Sequence, residues 1–193
     1  MYLKENMYPI VTEKINEYLE SHRKDLDGIY ISGGEPLMHE GVVSFLQYAK
    51  TLNYKIKIHT NGMFYERLKT ILAQKLVDHV SLDIKNAPSA YAKTCGVEDM
   101  DLKDIEKSLD LLKQSAVPYD ICVTLVDELH NQATIEELGQ WIQGVDTVIL
   151  QPFEDSETTI DHSLHRPSFE VVLKYKKIFE KYVKHVKIRG DQA

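Results

Sequence analysis

Short β-branched and aromatic runs alternate with longer amphipathic stretches along most of the chain. The ends of consecutive runs lie 26 to 40 residues apart, which leaves room for one helix and two short loops. Repeats of this kind are typical of βα units, whose strands pair in parallel in a barrel or an open wound sheet. The predicted strands are Gly28–Ser32, Tyr54–His59, His79–Lys85, Tyr119–Leu125, Asp146–Gln151 and His185–Arg189.

Apolar residues recur every three or four positions between the runs, and each such stretch predicts a helix with one core-facing side. The first predicted helix extends from about Tyr8 to Arg23, and the last begins after Pro167 with Ser168 as its N-cap. The segment K-N-A-P-S-A-Y after the third strand is interpreted as a loop. Polar or proline-containing loops follow three strands, which places any chemistry at the carboxyl ends of the strands.

Composition and charge exclude several classes of function. The 193 residues carry 23 Lys and Arg against 30 Asp and Glu, a net charge of −7, which argues against a nucleic-acid binder. The sequence contains neither an apolar run long enough to cross a membrane nor a signal-like start, so we expect a cytoplasmic protein with one domain. The two cysteines, Cys95 and Cys122, are too few and too far apart for a disulfide framework or a C-x-x-C metal site.

The loop after the first strand reads S-G-G-E-P and combines two glycines with a carboxylate. Gly33 and Gly34 allow a sharp turn in which the backbone approaches a ligand, and the charge of Glu35 favours an ammonium group over a phosphate. The alternative is a tight turn with a glutamate on the surface.

The next two strands also end in polar residues. The second ends in H-T-N-G, where Gly62 permits a turn with positive φ, and this motif alone predicts only a turn. In the third, alternation along the strand places Ser81, Asp83 and Lys85 on one face. The alternative explanation of these charges is an ion pair between Asp83 and Lys85.

Taken in order, G-G-E-P, T-N-G and L-D-I-K at three successive strand ends resemble the radical S-adenosylmethionine (SAM) superfamily. Within it, the glycyl-radical-enzyme activating proteins of anaerobic ribonucleotide reductase are the most similar. The resemblance extends from about Tyr8 to Gly190. It implies one domain over residues 1–193 with an α/β fold, a partial (β/α)₆ barrel of the TIM type whose first strand would precede Met1.

The resemblance also implies where SAM binds. The methionine ammonium would lie at the G-G-E-P loop, the ribose near the T-N-G turn, and the rest of the methionine half at the D-I-K strand end. Activating proteins of this type usually have Asp where this chain has His59. The cofactor-binding residues implied are Gly33, Gly34, Glu35, Pro36, His59, Thr60, Asn61, Asp83 and Lys85.

The same family holds a [4Fe-4S] cluster on three thiolates, usually in C-x-x-x-C-x-x-C after the first strand. Nothing in this sequence matches, and we interpret Cys95 and Cys122 as structural, so no metal ligand is assigned. Three explanations compete: a fragment of a complete activase, which we favour; a natural cluster-free relative; and a half whose partner chain supplies the cysteines. The histidines of the polar loop Glu154–Arg166 are interpreted as solvated rather than metal-binding, and Gln151 is expected to face the barrel mouth.

Two main functions follow as hypotheses. As an activase, the protein uses SAM to make a 5′-deoxyadenosyl radical, which forms a glycyl radical on an anaerobic ribonucleotide reductase or a pyruvate formate-lyase type of partner. Flavodoxin or ferredoxin would then donate the electron, and this chain alone would be inactive. The alternative is a cluster-free module that binds SAM or a protein; a weaker one is an unrelated enzyme whose glycine loop holds phosphate. A missing first strand would expose a sheet edge, so we expect dimers or aggregation.

Overall fold

The computed structural model describes residues 12–157, 159 and 161–190, which form a parallel sheet with helices between its strands. The strands are β1 (Gly28–Ile31), β2 (Lys55–Thr60), β3 (His79–Asp83), β4 (Tyr119–Leu125), β5 (Thr147–Pro152) and β6 (His185–Ile188). The helices are α1 (Thr12–Ser21), α2 (Val42–Thr51), α3 (Tyr65–Ala73), α4 (Pro88–Thr94), α5 (Lys103–Gln114), α6 (Gln132–Trp141) and α7 (Phe169–Phe179). A short 3₁₀ turn, Pro36–Met38, lies between β1 and α2.

The strands lie in the sheet in chain order, and every neighbouring pair is parallel. Parallel neighbours need crossover connections, and helices α2 to α7 provide them. Within the described residues β1 and β6 each have a single neighbour, so the sheet is open between them. The α/β fold predicted from the sequence, a parallel sheet of the partial-barrel type, is confirmed.

One face of the sheet is aliphatic and packs against the helices. Leu46 of α2, Ile71 of α3 and Leu109 of α5 contribute to the same buried cluster. Burial of apolar surface stabilises a fold by about 25 cal/mol per Å², so this layer between sheet and helices is the core of the protein. The sheet contributes Ile56, Ile58, Val80, Leu82, Ile121, Val123, Val148 and Leu150, each at most 1% exposed.

The opposite, inner face of the sheet is polar, although strands of parallel sheets are usually apolar on both faces. It carries two carboxylates, and each lies between a lysine and a histidine. We call the set near the amino ends of the strands the lower triad and the set at their carboxyl ends the upper triad. The lower triad is Lys57, Asp120 and His79, and the upper triad is Lys85, Asp83 and His59.

Most predicted boundaries agree with the structure to within one or two residues, but one prediction was wrong. The segment interpreted as a loop after β3 contains helix α4, which begins at Pro88 and buries Tyr91. Proline is favoured in the first turn of a helix, and seven residues are too few to show a helical period. Ser168 caps α7 as predicted, its hydroxyl accepting from the Val171 amide. The predicted start of the first helix, near Tyr8, lies outside the described residues.

Candidate functional site

The glycine-rich loop that follows β1 is a tight, left-handed turn that ends in a buried carboxylate. Gly33 and Gly34 have φ angles of +92° and +57°, which favour glycine. Glu35 then caps the 3₁₀ turn that begins at Pro36: its Oε1 accepts from the Leu37 amide at 2.9 Å. Only 7% of Glu35 is exposed, so the alternative of a surface glutamate was wrong.

Glu35 also joins this loop to the end of β2. The Thr60 hydroxyl donates to its Oε1 at 2.8 Å, and the Asn61 amide donates to its Oε2 at 2.6 Å. A carboxylate offers about four acceptor positions, and three of them are occupied by protein donors. Glu35 therefore fixes two strand ends relative to each other and keeps room for one donor from a ligand.

The T-N-G turn is held from both sides. Gly62 has a φ of +78°, and a Cβ on it would lie 2.8 Å from the Leu82 Cδ1. Its carbonyl accepts from the Ser108 hydroxyl of α5 at 2.8 Å, and the Asn61 side chain accepts from the Met63 amide at 3.0 Å. The turn therefore has a fixed position against β3 and α5, and the Asn61 side-chain oxygen is used in building it.

The upper triad lies at the ends of β2 and β3. Lys85 Nζ donates to Asp83 Oδ2 at 2.5 Å, and His59 Nε2 lies 3.6 Å from the same oxygen. On its other side, His59 Nδ1 lies 2.9 Å from the hydroxyl of Tyr30 on β1. The ion pair between Asp83 and Lys85, which the sequence left as an alternative, is therefore present. It leaves two of the three Lys85 ammonium protons for other acceptors.

The two oxygens of Asp83 differ: Oδ2 lies beside Lys85 and His59, and Oδ1 has no such neighbour. Oδ1 is buried and has no hydrogen-bond partner among the described residues. Burial raises the pKa of Asp83, but His59 and Lys85 outweigh it and hold the pKa below its ordinary value, so the group is ionised at neutral pH. A buried charged acceptor without a donor is costly, and it fits a ligand that donates a hydrogen bond or carries positive charge.

The lower triad is complete within the protein. Asp120, 4% exposed, accepts from Lys57 at 3.0 Å and from His79 at 2.6 Å, and its other oxygen accepts from the buried Ser81 hydroxyl. Burial raises the pKa of Asp120, but these three hydrogen bonds together lower it below its ordinary value. Both oxygens of Asp120 have protein donors, so we assign the lower triad a structural role.

The two thiols do not make a three-thiolate site. Cys122, on the inner face of β4, is 2% exposed, and burial raises its pKa to about 11. Cys95 follows α4 and is exposed, and partial burial of its thiol raises its pKa as well. A cluster ligand must be a thiolate, and these 193 residues contain only two cysteines. The residues present therefore do not fit a [4Fe-4S] cluster.

The histidines of the loop after β5 have separate partners. His162 pairs with Asp155 at 2.9 Å, and His165 pairs with Glu128 at 2.5 Å, all with exposed side chains. Across the described residues, no group of three or more His, Cys, Asp or Glu side chains is arranged to hold a metal ion. Gln151 lies at the end of β5, where it accepts from Arg189 at 2.6 Å. No helix in the described part of the chain has the length and apolarity to span a membrane.

Two residues of the inner face were not predicted from the sequence to belong to this region. Tyr30 lies inside the first predicted strand, and Asp120 lies inside the fourth, but neither belongs to a motif. Arg67 of α3 was also missed; its guanidinium donates to the Leu37 carbonyl and holds the end of the glycine-rich loop. Alternation could have placed Tyr30 and Asp120 on a face, but their partners depend on strand register.

Comparisons with known proteins agree with this architecture. A model of the radical SAM superfamily matches residues 2–142. Over 169 residues, 84% of this chain and 70% of the relative, the chain is 30% identical to a protein of Methanocaldococcus jannaschii provisionally named a glycyl-radical enzyme activating enzyme.

Solved structures with low sequence identity show the same fold. One is a domain of pyruvate-formate lyase-activating enzyme from Bacteroides vulgatus, with 19% identity and a TM-score of 0.66 over 84% of this chain and 99% of that one. Another is SuiB of Streptococcus suis bound to S-adenosylmethionine, with 13% identity and a TM-score of 0.74 over 98% of this chain and 46% of that one. The family match, the relative and the fold together establish that the chain belongs to the radical SAM superfamily.

Proposed function

We propose that the strand ends of β1, β2 and β3 bind SAM and that the chain is the SAM-binding part of a glycyl-radical activase. The observation that carries the proposal is the buried, ionised Asp83 oxygen without a donor, beside a lysine with unused protons. SAM carries an ammonium, a carboxylate and ribose hydroxyls, so it offers donors to the first group and an acceptor to the second.

Each predicted residue has a place in this proposal. The methionine ammonium would bind the free acceptor position of Glu35 and carbonyls of the open turn at Gly33 and Gly34, while Pro36 directs the chain into the 3₁₀ turn. Lys85 would take the carboxylate with its remaining ammonium protons. Thr60 and Asn61 would hold the loop through Glu35, and His59 would lie toward the ribose. One electron from the external donor would break the bond between the SAM sulfur and C5′, giving methionine and the 5′-deoxyadenosyl radical.

The activase part of the proposal is supported by the relative named for glycyl-radical activation. On this reading the partner is a glycyl radical enzyme of the anaerobic ribonucleotide reductase or pyruvate formate-lyase type, and a flavodoxin or ferredoxin supplies electrons. Because these 193 residues contain only two cysteines, they do not by themselves supply the three thiolates of a cluster.

The competing proposal is a cluster-free module that binds SAM or a protein, and the cysteine content favours it. An electron paramagnetic resonance measurement separates the two. The protein purified anaerobically from its source is mixed with a glycyl radical enzyme, SAM and dithionite. An activase gives the glycyl radical doublet on the partner, whereas a module gives none while still binding SAM.

Binding itself is tested by thermal unfolding with SAM. At a SAM concentration 100 times Kd, binding stabilises the folded state by about 2.7 kcal/mol, which raises Tm by roughly 5 to 10 °C in a chain of this length. Lys85→Met should remove most of this rise. Lys93→Met, an exposed lysine on neighbouring α4, should keep it. No rise in the unmodified protein, or an equal rise in Lys85→Met, would contradict the proposed site.

Self-association is a separate part of the proposal. The outer edge of β1 has no strand partner among the described residues. A cavity of about 640 Å³ lies beside it, between α1 and α2, lined in part by Ile15, Ile31 and Phe45. An open strand edge next to apolar surface favours pairing with another chain. Light scattering should show dimers or larger species, and a clean monomer at high concentration would contradict this part.

A further inference from the structure

Tyr30 is a candidate for a role that no motif assigns. It lies on β1, and its hydroxyl reaches across to β2, 2.9 Å from His59 Nδ1. The residue is 53% exposed, and the Lys57 ammonium lies 5.9 Å from the centre of its ring. Since more than half of Tyr30 is in contact with solvent, packing does not explain its position, and its hydroxyl is used in the hydrogen bond to His59.

The neighbours of His59 favour one position for its proton. A neutral imidazole has one donor and one acceptor nitrogen, and Nε2 faces the ionised Asp83, which can only accept. The proton of neutral His59 therefore belongs on Nε2, and Nδ1 accepts from the Tyr30 hydroxyl. If His59 takes a second proton, the same hydroxyl can turn and accept from Nδ1. The contact thus holds the ring in one orientation in either protonation state.

We infer that Tyr30 is a positioning residue: it orients His59 so that the Nε2 proton points toward Asp83, where a ligand would bind. Only the identity of the ligand rests on the proposed function, since the orientation of His59 is a property of the protein without a ligand. Without the hydroxyl, rotation of the imidazole by 180° would exchange Nδ1 and Cδ2 and turn Nε2 away from Asp83. Any effect of Tyr30 on ligand binding must therefore be exerted through His59.

The first experiment reads the ring directly. Nitrogen NMR of histidine side chains, with His59 assigned by loss of its signals in His59→Ala, should show an Nε2-protonated ring whose Nδ1 accepts a hydrogen bond. Tyr30→Phe should shift the Nδ1 resonance to that of a nitrogen bonded only to water. Tyr18→Phe is the matched control, because Tyr18 is also 53% exposed and lies beside a histidine, but through ring stacking on His22. An Nδ1-protonated His59, or no shift in Tyr30→Phe, would overturn the inference.

The second experiment is a double-mutant cycle on SAM affinity. Tyr30→Phe should weaken binding about fivefold to tenfold, in line with loss of one neutral hydrogen bond. In the His59→Ala background, Tyr30→Phe should change affinity by less than about twofold, because its effect passes through His59. Additive losses would show that Tyr30 does not act through His59, and a loss of the same size in Tyr18→Phe would show that the effect is not specific to Tyr30; either result would overturn the inference. If the unmodified protein does not bind SAM, the proposed function fails, and the NMR measurement still decides the Tyr30–His59 pair.

Discussion

Replacing Asp120 by asparagine removes the charge at the centre of the lower triad while keeping the shape of the side chain. The carboxylate is 6% exposed and accepts from Ser81, Lys57 and His79. Asparagine has one oxygen and one NH₂ group in place of two oxygens, so at least one donor loses its acceptor. The protein therefore loses the buried negative charge that neutralises the Lys57 ammonium.

The loss in the free energy of unfolding depends on how well each donor can form a hydrogen bond to water instead. Side chains of Lys57 and His79 are each 33% exposed and can turn partly to solvent, whereas Ser81 is fully buried. A hydrogen bond to a charged group contributes about 1.5 to 3 kcal/mol. Loss of one such bond with weakening of the others should reduce the free energy of unfolding by about 3 kcal/mol at pH 7. This corresponds to a fall in Tm of about 6 to 12 °C.

The pH dependence supplies a sharper test. Because the folded protein holds the pKa of Asp120 below its ordinary value of 3.8, its stabilisation is present above that pH and is lost as pH falls further. Urea unfolding of both proteins at pH 7 and near pH 3 should show a difference that shrinks on acidification. Asp146→Asn, an exposed carboxylate paired with Lys184, is the control and should change little. Equal stability of Asp120→Asn at pH 7, or an undiminished difference at low pH, would refute the reasoning.

Three further predictions follow from the geometry. Gly62→Ala should lower the free energy of unfolding by roughly 1 to 3 kcal/mol, because the new Cβ would contact Leu82 and Gly62 has a positive φ. Gly96→Ala, at a position with positive φ but open space, should lower it less, as measured by urea unfolding of both variants. Alkylation at pH 8 followed by mass spectrometry should modify Cys95 and leave Cys122 unmodified in the folded protein, since Cys122 is buried with a pKa of about 11; modification of Cys122 at an equal rate would contradict its placement. Anaerobic reconstitution of these 193 residues with iron and sulfide should give no stoichiometric cluster, and an iron assay showing four iron atoms per chain would overturn the interpretation of the cysteines.

The strands were predictable because each is a short β-rich run separated from the next by a helical period, and three of them are followed by polar or proline-containing loops. Alternation alone placed Ser81 and Asp83 on one face, and register places both on the inner face. Helix α4 was not predictable in the same way, because seven residues that begin with proline look like a loop. The candidate cofactor residues were predicted from the family resemblance, because the sequence pattern alone left their roles open.

The connections between the motifs were beyond the sequence. Lys57 and Asp120 are 63 positions apart, and only the register of β2, β3 and β4 brings them together. The motif predicted Glu35 near a ligand, but it did not indicate that three donors from two strand ends already bind its carboxylate. Long-range contacts of this kind follow from packing, for which local periodicity contains no information.

The most direct test of the SAM site is isothermal titration of SAM into the unmodified protein and Asp83→Asn. Asparagine keeps the shape but removes the charge that the unpartnered Oδ1 offers to a ligand. Saturable binding to the unmodified protein, at least tenfold weaker in Asp83→Asn and unchanged in the exposed control Asp146→Asn, is the predicted result. Absence of binding to the unmodified protein, or equal affinity in Asp83→Asn, would contradict the proposal that these strand ends form a SAM site.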